Sequence, residues 1–575
     1  MIKCTAPIRG HRSPNAEKRC PMCGNRPAKT SQNSTSRYSH AARVKQLSNT
    51  LDLQFTPEQY IDIHRILMKI VNDTHIPLSI ARTQWAAGPG FFHTGTIRTN
   101  GMQFTYVYDC GTARSFNLLQ NEVDTYISSL GSTWPANRII DDDIHEFIKY
   151  YDYHPYHPPY YTPYHPRLSL SLPYIFGLDH TEDLTFSGTP FKTEWETDTA
   201  QTTQQAQVDI VFISHFDTDH INGLAYLIQN AVVKRLAIPF TTPRERFLHL
   251  CKSSFDRKTN PNRATSGEYR DFVFEFTANP VAAIRRFPEI LNSDTSDITL
   301  IEIQHKQENE RDDGHDFIGH VYAPTKDTTN SISNIHETIP VWQFSASTLQ
   351  GNADKLGAAL VTSLINEGII SSDSDLEHAD TLRRIFDDED ISSKLAETYR
   401  NIAHKNLNAT SLILHSGPPY PDDSPAFHHM FWRGDQTGNY HNILEIHSPW
   451  TTGWLGCGDA NLNNDTKVNL FDQLFWKQKL FSSTLAPPHH GSQRDWNAHI
   501  LDAFGYPGES APVCVFSADG LHNHPSPNVI TDVNSRGGTT YVVTTDSRSR
   551  LTETLRVLVP KYRTRSYADL IMIVS

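Results

Sequence analysis

The sequence predicts an α/β fold with a metal centre at the ends of its strands. Short runs rich in β-branched and aromatic residues alternate along much of the chain with segments whose apolar residues recur at helical spacing. Several of these runs are followed directly by His or Asp residues. No stretch reaches the roughly eighteen consecutive apolar residues of a membrane-spanning helix. We therefore expect no membrane segment.

The composition describes an acidic protein without an overall basic surface. The 575 residues carry a net charge of −13, and 20% of them are charged. This length is enough for two or three domains, or for one core with large insertions. A non-specific nucleic-acid binder usually shows a basic excess, so any such surface must be local. The absence of a signal-peptide core and the seven mostly scattered cysteines favour a cytoplasmic protein with reduced thiols.

Residues 1–24 are predicted to bind a structural zinc ion. Cys20 and Cys23 form a C-x-x-C pair, and Cys4 and His11 could complete a tetrahedral Cys₃His site. A closed site of this kind has no open coordination position. We therefore expect it to serve folding or docking to a protein partner, with a chance cluster in a flexible tail as the alternative.

The main domain is predicted to begin near residue 81. Residues 25–80 are expected to form a polar linker and then a helix at 57–72, where apolar residues recur at helical spacing. Residues 81–575 follow as the α/β domain. Its first strands are predicted at 91–98 and 103–109.

The densest group of metal-binding side chains follows a predicted buried strand at 208–213. The next residues, H-F-D-T-D-H, bring two imidazoles and two carboxylates together: His215, Asp217, Asp219 and His220. Alternation in an extended segment would place the first three on one side, with His220 turning toward them. Burying four such groups without a cation would be costly. We therefore predict a metal site here, with a polar loop as the alternative.

Two insertions into the domain are predicted, at about 130–205 and 242–400. The first contains the Tyr/His/Pro-rich segment 150–166, expected to be a rigid surface loop, with metal binding as the alternative. The second begins with a basic stretch at 244–270, whose seven positive and three negative residues give a net charge of +4. Arg257 and Lys258 in this stretch are the expected phosphate contacts. The alternative is a solvated helix face.

Strands and helices alternate again in the rest of the chain. A helix is predicted at 225–231, a parallel strand at 236–239 and a helical region at 352–403. Later strands are predicted at 411–415, 443–447, 453–457, 484–486, 513–516 and 540–545, and later helices at 468–480, 496–504 and 528–534.

The H-F-D-T-D-H run resembles HxHxDH, the metal signature of the metallo-β-lactamase-fold hydrolases, with aspartate in place of the second histidine. This variant is similar to the soluble metallo-β-lactamase-like domain of bacterial competence DNA-uptake channel proteins. Four further motifs of that group follow in order: N-A-T-S-L-I-L at 408–414, Gly458-Asp459, P-H-H-G-S at 488–492, and His524-Pro525. The resemblance implies a four-layer αβ/βα sandwich with the insertions at its rim.

The resemblance also implies a role for individual residues. Asp459 would be shared between two metal ions. One of His489 and His490, with His490 favoured, would be a ligand, and the other would contact the substrate or leaving group. His524 would contact phosphate or act as a general acid. Asp109, in Y-D-C-G-T, would support the metal loop by hydrogen bonding, with a simple turn aspartate as the alternative.

A further histidine of the family's pattern has no clear equivalent in this chain. The candidates are His415, His428, His429, His441 and His447. Because Asp217 replaces a nitrogen ligand by oxygen, it favours manganese or a mixed centre over a pair of zinc ions.

These residues predict a metal-dependent hydrolase. Two divalent cations, Zn or Mn, would lower the pKa of a bridging water and stabilise developing negative charge. Asp219 would orient that water, and His489 or His524 would help the leaving oxygen depart. The resemblance to the competence-channel domain, the local basic stretch and the predicted zinc site favour a phosphodiesterase or nuclease acting on a nucleic acid or nucleotide. The resemblance also implies a setting such as bacterial antiviral defence.

Other functions remain compatible with the sequence. The same centre could hydrolyse a small phosphoester, a cyclic nucleotide or a lactone, and the acidic net charge favours such a substrate over a long duplex. A non-catalytic partner protein of a multi-protein complex and a single structural metal are the remaining alternatives.

Overall fold

A computed structural model of the chain describes residues 75–99, 102–130, 206–259, 267–291, 298–303, 317–324, 338–349, 353–402, 411–418, 428–435, 452–502, 504, 511–520 and 523–560. All of them belong to one compact unit, made of residues 63–140 and 194–575. The predicted zinc site with Cys4, His11, Cys20 and Cys23, the predicted helix at 57–72 and most of the 130–205 insertion lie outside the described residues.

The described part of the chain is mixed α/β. Its strands are β1 (His75–Gln84), β2 (Phe92–Thr99), β3 (Met102–Cys110), β4 (Gln207–Val208), β5 (Ile210–Phe212), β6 (Val232–Val233), β7 (Arg235–Pro239), β8 (Thr299–Ile303), β9 (Phe317–Pro324), β10 (Thr338–Thr348), β11 (Leu412–Gly417), β12 (His428–Asp435), β13 (Gly453–Gly456), β14 (Ser482–Ala486), β15 (Val513–Ser517), β16 (Thr539–Val543) and β17 (Leu551–Pro560). Its α-helices are α1 (Phe116–Leu130), α2 (Thr218–Ile221), α3 (Leu224–Asn230), α4 (Pro243–Thr259), α5 (Gly267–Ala278), α6 (Pro280–Leu291), α7 (Ala353–Asn366), α8 (Ala379–Asp387), α9 (Glu389–Ile402), α10 (Asp465–Leu480) and α11 (Pro527–Ser535).

Two large mixed sheets form the framework. The first has the order β12-β17-β1-β2-β3-β5-β7-β8, and the second has the order β16-β15-β14-β13-β11-β10-β9. From β3 to β8 the strands of the first sheet pair in parallel, as do β13 to β16 in the second. The other neighbouring pairs are antiparallel. The register between β3 and β5 pairs Val107 with Val211.

Three apolar clusters show how the sheets and helices pack. The cluster between the two sheets takes Phe212 from the first and Trp342 and Trp454 from the second. On the outer face of the first sheet, α1, α3, α5 and α6 pack against residues such as Val211. On the outer face of the second, α10 and α11 pack against residues such as Leu485. Each sheet is therefore covered on both faces, which explains why its parallel strands are continuous apolar runs.

The segment predicted as an insertion at 242–400 supplies strands to both sheets. β8 is the strand next to β7, and β9 and β10 complete the second sheet beside β11. Its helices α4, α7, α8 and α9 share a separate apolar cluster. The sheet framework likewise begins at His75, before the predicted start of the domain at residue 81. In both places the strands are recognisable only from their pairing with distant strands.

The predicted helix at 496–504 is reduced to one 3₁₀ turn, Ala498–Leu501. The Asn497 side chain accepts from the backbone N–H of His499 at the start of this turn. Trp496, Ile500 and Phe504 are all buried in the cluster beneath α10 and α11. A single turn is enough to direct these side chains inward, so the apolar spacing did not require a longer helix.

Four cysteines lie within the described residues. Cys110, Cys251, Cys457 and Cys514 are free and buried. None of the helices in the described ranges combines the length and apolar character needed to cross a bilayer.

Candidate metal centre

The candidate ligands from His215 to His220 directly follow β5. Ile213 still donates to Ala237 across the sheet (2.8 Å), and after His215 the chain turns into α2, with Asp217 at the N-cap position. The extended segment predicted from 215 to 219 is therefore wrong beyond Asp217, because a helix begins at Thr218. Gly111 permits this turn, since a Cβ there would lie 2.3 Å from the carbonyl oxygen of Asp219.

Asp109 anchors the segment from Ser214 to His220 by hydrogen bonds. It lies at the end of β3 in the left-handed region (φ 57°) and is completely buried. One carboxylate oxygen accepts from the backbone N–H of Ser214 (2.6 Å), and the other accepts from the Ser214 hydroxyl (2.6 Å). The second oxygen also lies 2.8 Å from Nδ1 of His220. Because Nδ1 is engaged by Asp109, Nε2 is the ring nitrogen that His220 can offer to a metal.

Asp459 comes from the other sheet and lies between four imidazoles. It follows β13 through Gly458, whose φ is 52°. Its Oδ1 lies 3.3 Å from Nε2 of His220 and 3.6 Å from Nε2 of His490. Its Oδ2 lies 3.6 Å from Nε2 of His215 and 3.6 Å from Nε2 of His489. The two oxygens of one carboxylate thus divide the centre into an Oδ1 half and an Oδ2 half.

His489 and His490 reach the centre from a 3₁₀ turn after β14. Both have left-handed backbones, with φ of 47° and 55°, and the His489 N–H donates to the carbonyl of Gly458 (2.9 Å). Nδ1 of His489 lies 2.6 Å from a carboxylate oxygen of Asp495, which fixes the ring. The His489 side chain is 26% exposed, against 6% for His490. His490 is therefore the more enclosed of the two, and His489 faces the open side.

Several buried polar atoms converge on Asp459 without hydrogen bonds. Nε2 of His215, His220 and His490 and Oδ1 of Asp459 have no hydrogen-bond partner within the described ranges. Buried polar atoms normally have partners, and these are atom types that ligate divalent cations. Two sets of ligand atoms lie close enough together to hold an ion: His215, His220 and Asp459, and Asp219, His220 and His490. The donor set thus fits a metal centre.

The two sets share His220, whose Nε2 can ligate only one ion. If that ion lies in the Oδ1 half with Asp219 and His490, the Oδ2 half retains His215, Asp459 and the neighbouring Asp217, whose Oδ2 is 3.3 Å from Nε2 of His215. The described residues therefore offer one complete ligand set at a time, and His215, Asp217 and Asp459 remain beside it when His220 serves the Oδ1 half.

The charged groups at the centre shift one another's pKa values. Burial alone would raise the pKa of Asp459, but the surrounding imidazoles, that of His489 first, hold it well below its ordinary value. Burial alone would lower the pKa of His220, but Asp459 and Asp109 hold it well above its ordinary value. Carboxylates that favour an imidazolium here would equally favour a divalent cation.

Asp217 has two partners that the sequence did not predict. Its Oδ1 lies 2.8 Å from Nδ1 of His249, and its Oδ2 accepts from the ammonium of Lys252. Both come from α4, in the segment expected to be an insertion. One signal was present: His249 and Lys252 are three positions apart, the spacing of one helix face. That spacing could not show what the face contacts.

His524 lies at the edge of the centre. It is half-buried, and its ring centroid is 5.6 Å from that of His489. The chain around it is tied to the His489–His490 turn, because the Ser526 N–H donates to the carbonyl of Gly491 (3.0 Å). The structure thus brings the late His-Pro motif beside the His-His motif.

The basic stretch at 244–270 is partly engaged within the protein. Arg244 pairs with Asp373, the Arg246 guanidinium donates to the carbonyl of Ala278 (2.9 Å), and Lys252 pairs with Asp217. The side chains of Arg257 and Lys258 lie outside the described part of the structure, and their expected phosphate contacts stay a prediction.

The candidate histidines between 415 and 447 do not join these ligand sets where they are described. His415 is buried on β11, and a Cβ at Gly453 would lie 2.7 Å from its Nε2. It therefore lies at the amino end of β13, whereas Asp459 follows the carboxyl end. His428 and His429 are on β12, separated from β5 by four strands. His441 and His447 lie outside the described residues.

Comparison with known proteins gives no independent assignment: no protein-family model matches this chain, and no curated protein matches it.

Proposed function

We propose that this protein is a metal-dependent hydrolase with a metallo-β-lactamase-type sandwich fold, and that it cleaves phosphodiesters of a nucleic acid or nucleotide. The observation that carries the proposal is the position of Asp459. Each of its oxygens faces a different pair of imidazole nitrogens, at 3.3 to 3.6 Å. A carboxylate in this position can be shared by two cations, the arrangement used by two-metal hydrolases.

The fold supports the same proposal. Two mixed sheets pack through an apolar cluster, and helices cover their outer faces. The proposed ligands lie in the segments that directly follow strands of both sheets, β5, β13 and β14. The five motifs that resemble the metallo-β-lactamase hydrolases include Asp459 and the four imidazoles around it.

The chain's own residues have distinct tasks in this proposal. Asp219, His220, His490 and Oδ1 of Asp459 would hold one cation, and His215, Asp217 and Oδ2 of Asp459 the other. Such a pair of cations lowers the pKa of water and stabilises negative charge on a phosphoryl group. Asp109 keeps Nε2 of His220 available as a ligand. Asp495 orients His489 at the open side.

His489 and His524 would act on the leaving group in this proposal. Their rings are neighbours at the less enclosed side of the centre, where substrate can approach. A positioned imidazole can give a proton to a leaving oxygen, which typically contributes 10²–10⁴-fold to the rate.

A small phosphoester is the second candidate substrate. Arg244, Arg246 and Lys252 of the basic stretch bond to other parts of the protein, so they contribute less to a phosphate-binding surface than the sequence suggested. The acidic net charge of −13 also opposes binding of a long duplex.

The decisive experiment combines metal content with turnover. Protein purified without added metal would be analysed by mass spectrometry and assayed with single-stranded DNA, double-stranded DNA and bis-p-nitrophenyl phosphate, with Mn²⁺ or Zn²⁺. We expect metal-dependent cleavage that Asp459→Asn abolishes. Asp380→Asn, at an exposed position on α8, is the matched control and should leave cleavage unchanged.

Each outcome of this experiment has a distinct meaning. Cleavage of DNA establishes a nuclease, and cleavage of the chromogenic ester alone favours the small substrate. Bound metal without turnover on any phosphoester would refute the proposed activity and favour a partner protein.

A further inference from the structure

The two faces of helix α4 contact different parts of the protein. Phe247, Leu248 and Cys251 pack into the apolar cluster shared with α7, α8 and α9. The other face contacts Asp217 and Thr218 from three positions with helical spacing. His249 and Lys252 both bond to Asp217, and the Ser253 hydroxyl lies 3.0 Å from that of Thr218.

These contacts make Asp217 different from the other carboxylates of the centre. Both of its oxygens are engaged by α4, and the oxygen bonded to the Lys252 ammonium is the one that lies 3.3 Å from Nε2 of His215. The Asp217 side chain is 4% exposed, and that of Lys252 is 25% exposed. The ion pair is thus largely screened from water, where charges interact strongly.

A cation entering the Oδ2 half would meet this ammonium. To share Oδ2 of Asp217 with His215, it must approach within about 2.0–2.2 Å of an oxygen that already accepts from Lys252. The two positive charges then lie close together and repel each other. In the Oδ1 half, by contrast, the ion pairs of Asp459 are with imidazoles, which ligate metals when neutral.

We propose that the two halves of the centre bind metal with unequal affinity, and that Lys252 causes the difference by occupying Asp217. The Oδ1 half holds its cation tightly. The Oδ2 half fills only when a cation displaces the ammonium from Asp217, so Lys252 stands in for the charge of the second ion until it arrives. This inference rests on the two-cation centre of the proposed function.

The scale of the effect follows from the position of Lys252. Substitution of a residue that bonds to a metal ligand typically changes metal affinity by roughly 10- to 100-fold. Lys252 opposes the second cation directly, so its removal should strengthen binding of that ion by a factor in this range, while the first ion is affected much less.

The test is a Mn²⁺ titration of the metal-stripped, full-length chain, followed by electron paramagnetic resonance. Free Mn²⁺ gives the number and affinity of the sites, and a coupled signal reports a filled pair. We expect one tight ion and a second that binds roughly 10- to 100-fold more weakly. Lys252→Met should bring the second affinity toward the first.

Three variants complete the test. Lys252→Arg keeps the positive charge and should keep the second ion weak. Asp217→Asn should abolish the weak site and spare the tight one, a result that does not depend on how Lys252→Met folds. Lys394→Met is the matched control, because Lys394 is 69% exposed and pairs with Glu367, just after the end of α7; both affinities should stay unchanged.

Two equally tight ions in the unaltered protein, or a weak site that Lys252→Met leaves weak, would overturn this inference and leave the proposed hydrolase standing. If no Mn²⁺ binds, or if Asp459→Asn leaves Mn²⁺ binding unchanged, the centre itself and the proposed function fail together with the inference.

Discussion

Replacing Asp109 by asparagine separates the orientation of a metal ligand from the stability of the fold. Asparagine has the same shape as aspartate and tolerates the left-handed backbone at this position (φ 57°). Its oxygen can still accept from the Ser214 N–H, as Oδ1 of Asp109 does at 2.6 Å. Its NH₂ group, however, would face Nδ1 of His220, which lies 2.8 Å from Oδ2 of Asp109.

The exchange of an acceptor for a donor changes the tautomer of His220. Nδ1 must then accept a hydrogen bond, so the ring proton moves to Nε2, the nitrogen that faces Asp459 at 3.3 Å. A protonated Nε2 cannot ligate a metal. We expect metal affinity to fall roughly 10- to 100-fold, about 1.4–2.7 kcal/mol. Asp109→Ala should in addition destabilise the fold by about 3–5 kcal/mol, because it leaves buried partners unpaired.

The assay is competition for Zn²⁺ against a chelator of known affinity, with chemical denaturation of the same samples. Asp209→Asn is the matched control, because Asp209 is also buried and accepts from the backbone N–H of Thr105 (2.8 Å). It should leave metal affinity unchanged. Wild-type metal affinity in Asp109→Asn would refute the assignment of Asp109 as the residue that sets the tautomer of His220.

Three other predictions concern separate parts of the chain. Asp219→Ala should abolish metal-dependent hydrolysis with the thermal melting curve nearly unchanged, and retained turnover would contradict its role. Cys20→Ser combined with Cys23→Ser should release one zinc and spare the core metals; loss of core metal by mass spectrometry would show that the two sites are not independent. Stability should also fall as the pH drops below about 6.5, because burial lowers the pKa of His93 to about 3 and the unfolded chain binds a proton that the folded chain does not, giving at most about 1.4 kcal/mol per pH unit. His93→Phe keeps a ring on Trp454, which stacks at 4.0 Å, and should remove this part of the pH slope in denaturation; an unchanged slope would rule out His93 as its source.

The sequence was most informative where chemistry is concentrated in a few consecutive residues. His215, Asp217, Asp219 and His220 lie within six positions, and their types alone predict a metal site. The other proposed ligands, Asp459 and His490, were predicted from motifs whose order along the chain resembles that of the metallo-β-lactamase-fold hydrolases. Each of these signals is local, so it survives without knowledge of the tertiary fold.

The contacts of α4 could not be predicted in this way. His249 and Lys252 acquire a role only because their helix docks on the metal loop, and nothing within 243–259 encodes that partner. The place of the 242–400 segment in the two sheets could not be predicted for the same reason. β8 pairs with β7, β10 pairs with β11, and β9 pairs with β10, so these strands depend on distant partners. The helix that begins at Thr218 also replaced the extended segment that the alternating residues predicted. Gly111, which follows β3, has no side chain and so allows this helix to pack closely against it.

Because the candidate metal centre draws its residues from both sheets, those residues are synthesised at well-separated times. His220 leaves the ribosome first, and Asp459 and His490 follow more than two hundred residues later. At 5–20 residues per second, that interval lasts roughly ten to fifty seconds. A nascent or truncated chain carries only the proposed ligands from His215 to His220, so the proposed metal centre can form only when synthesis of the domain is nearly complete.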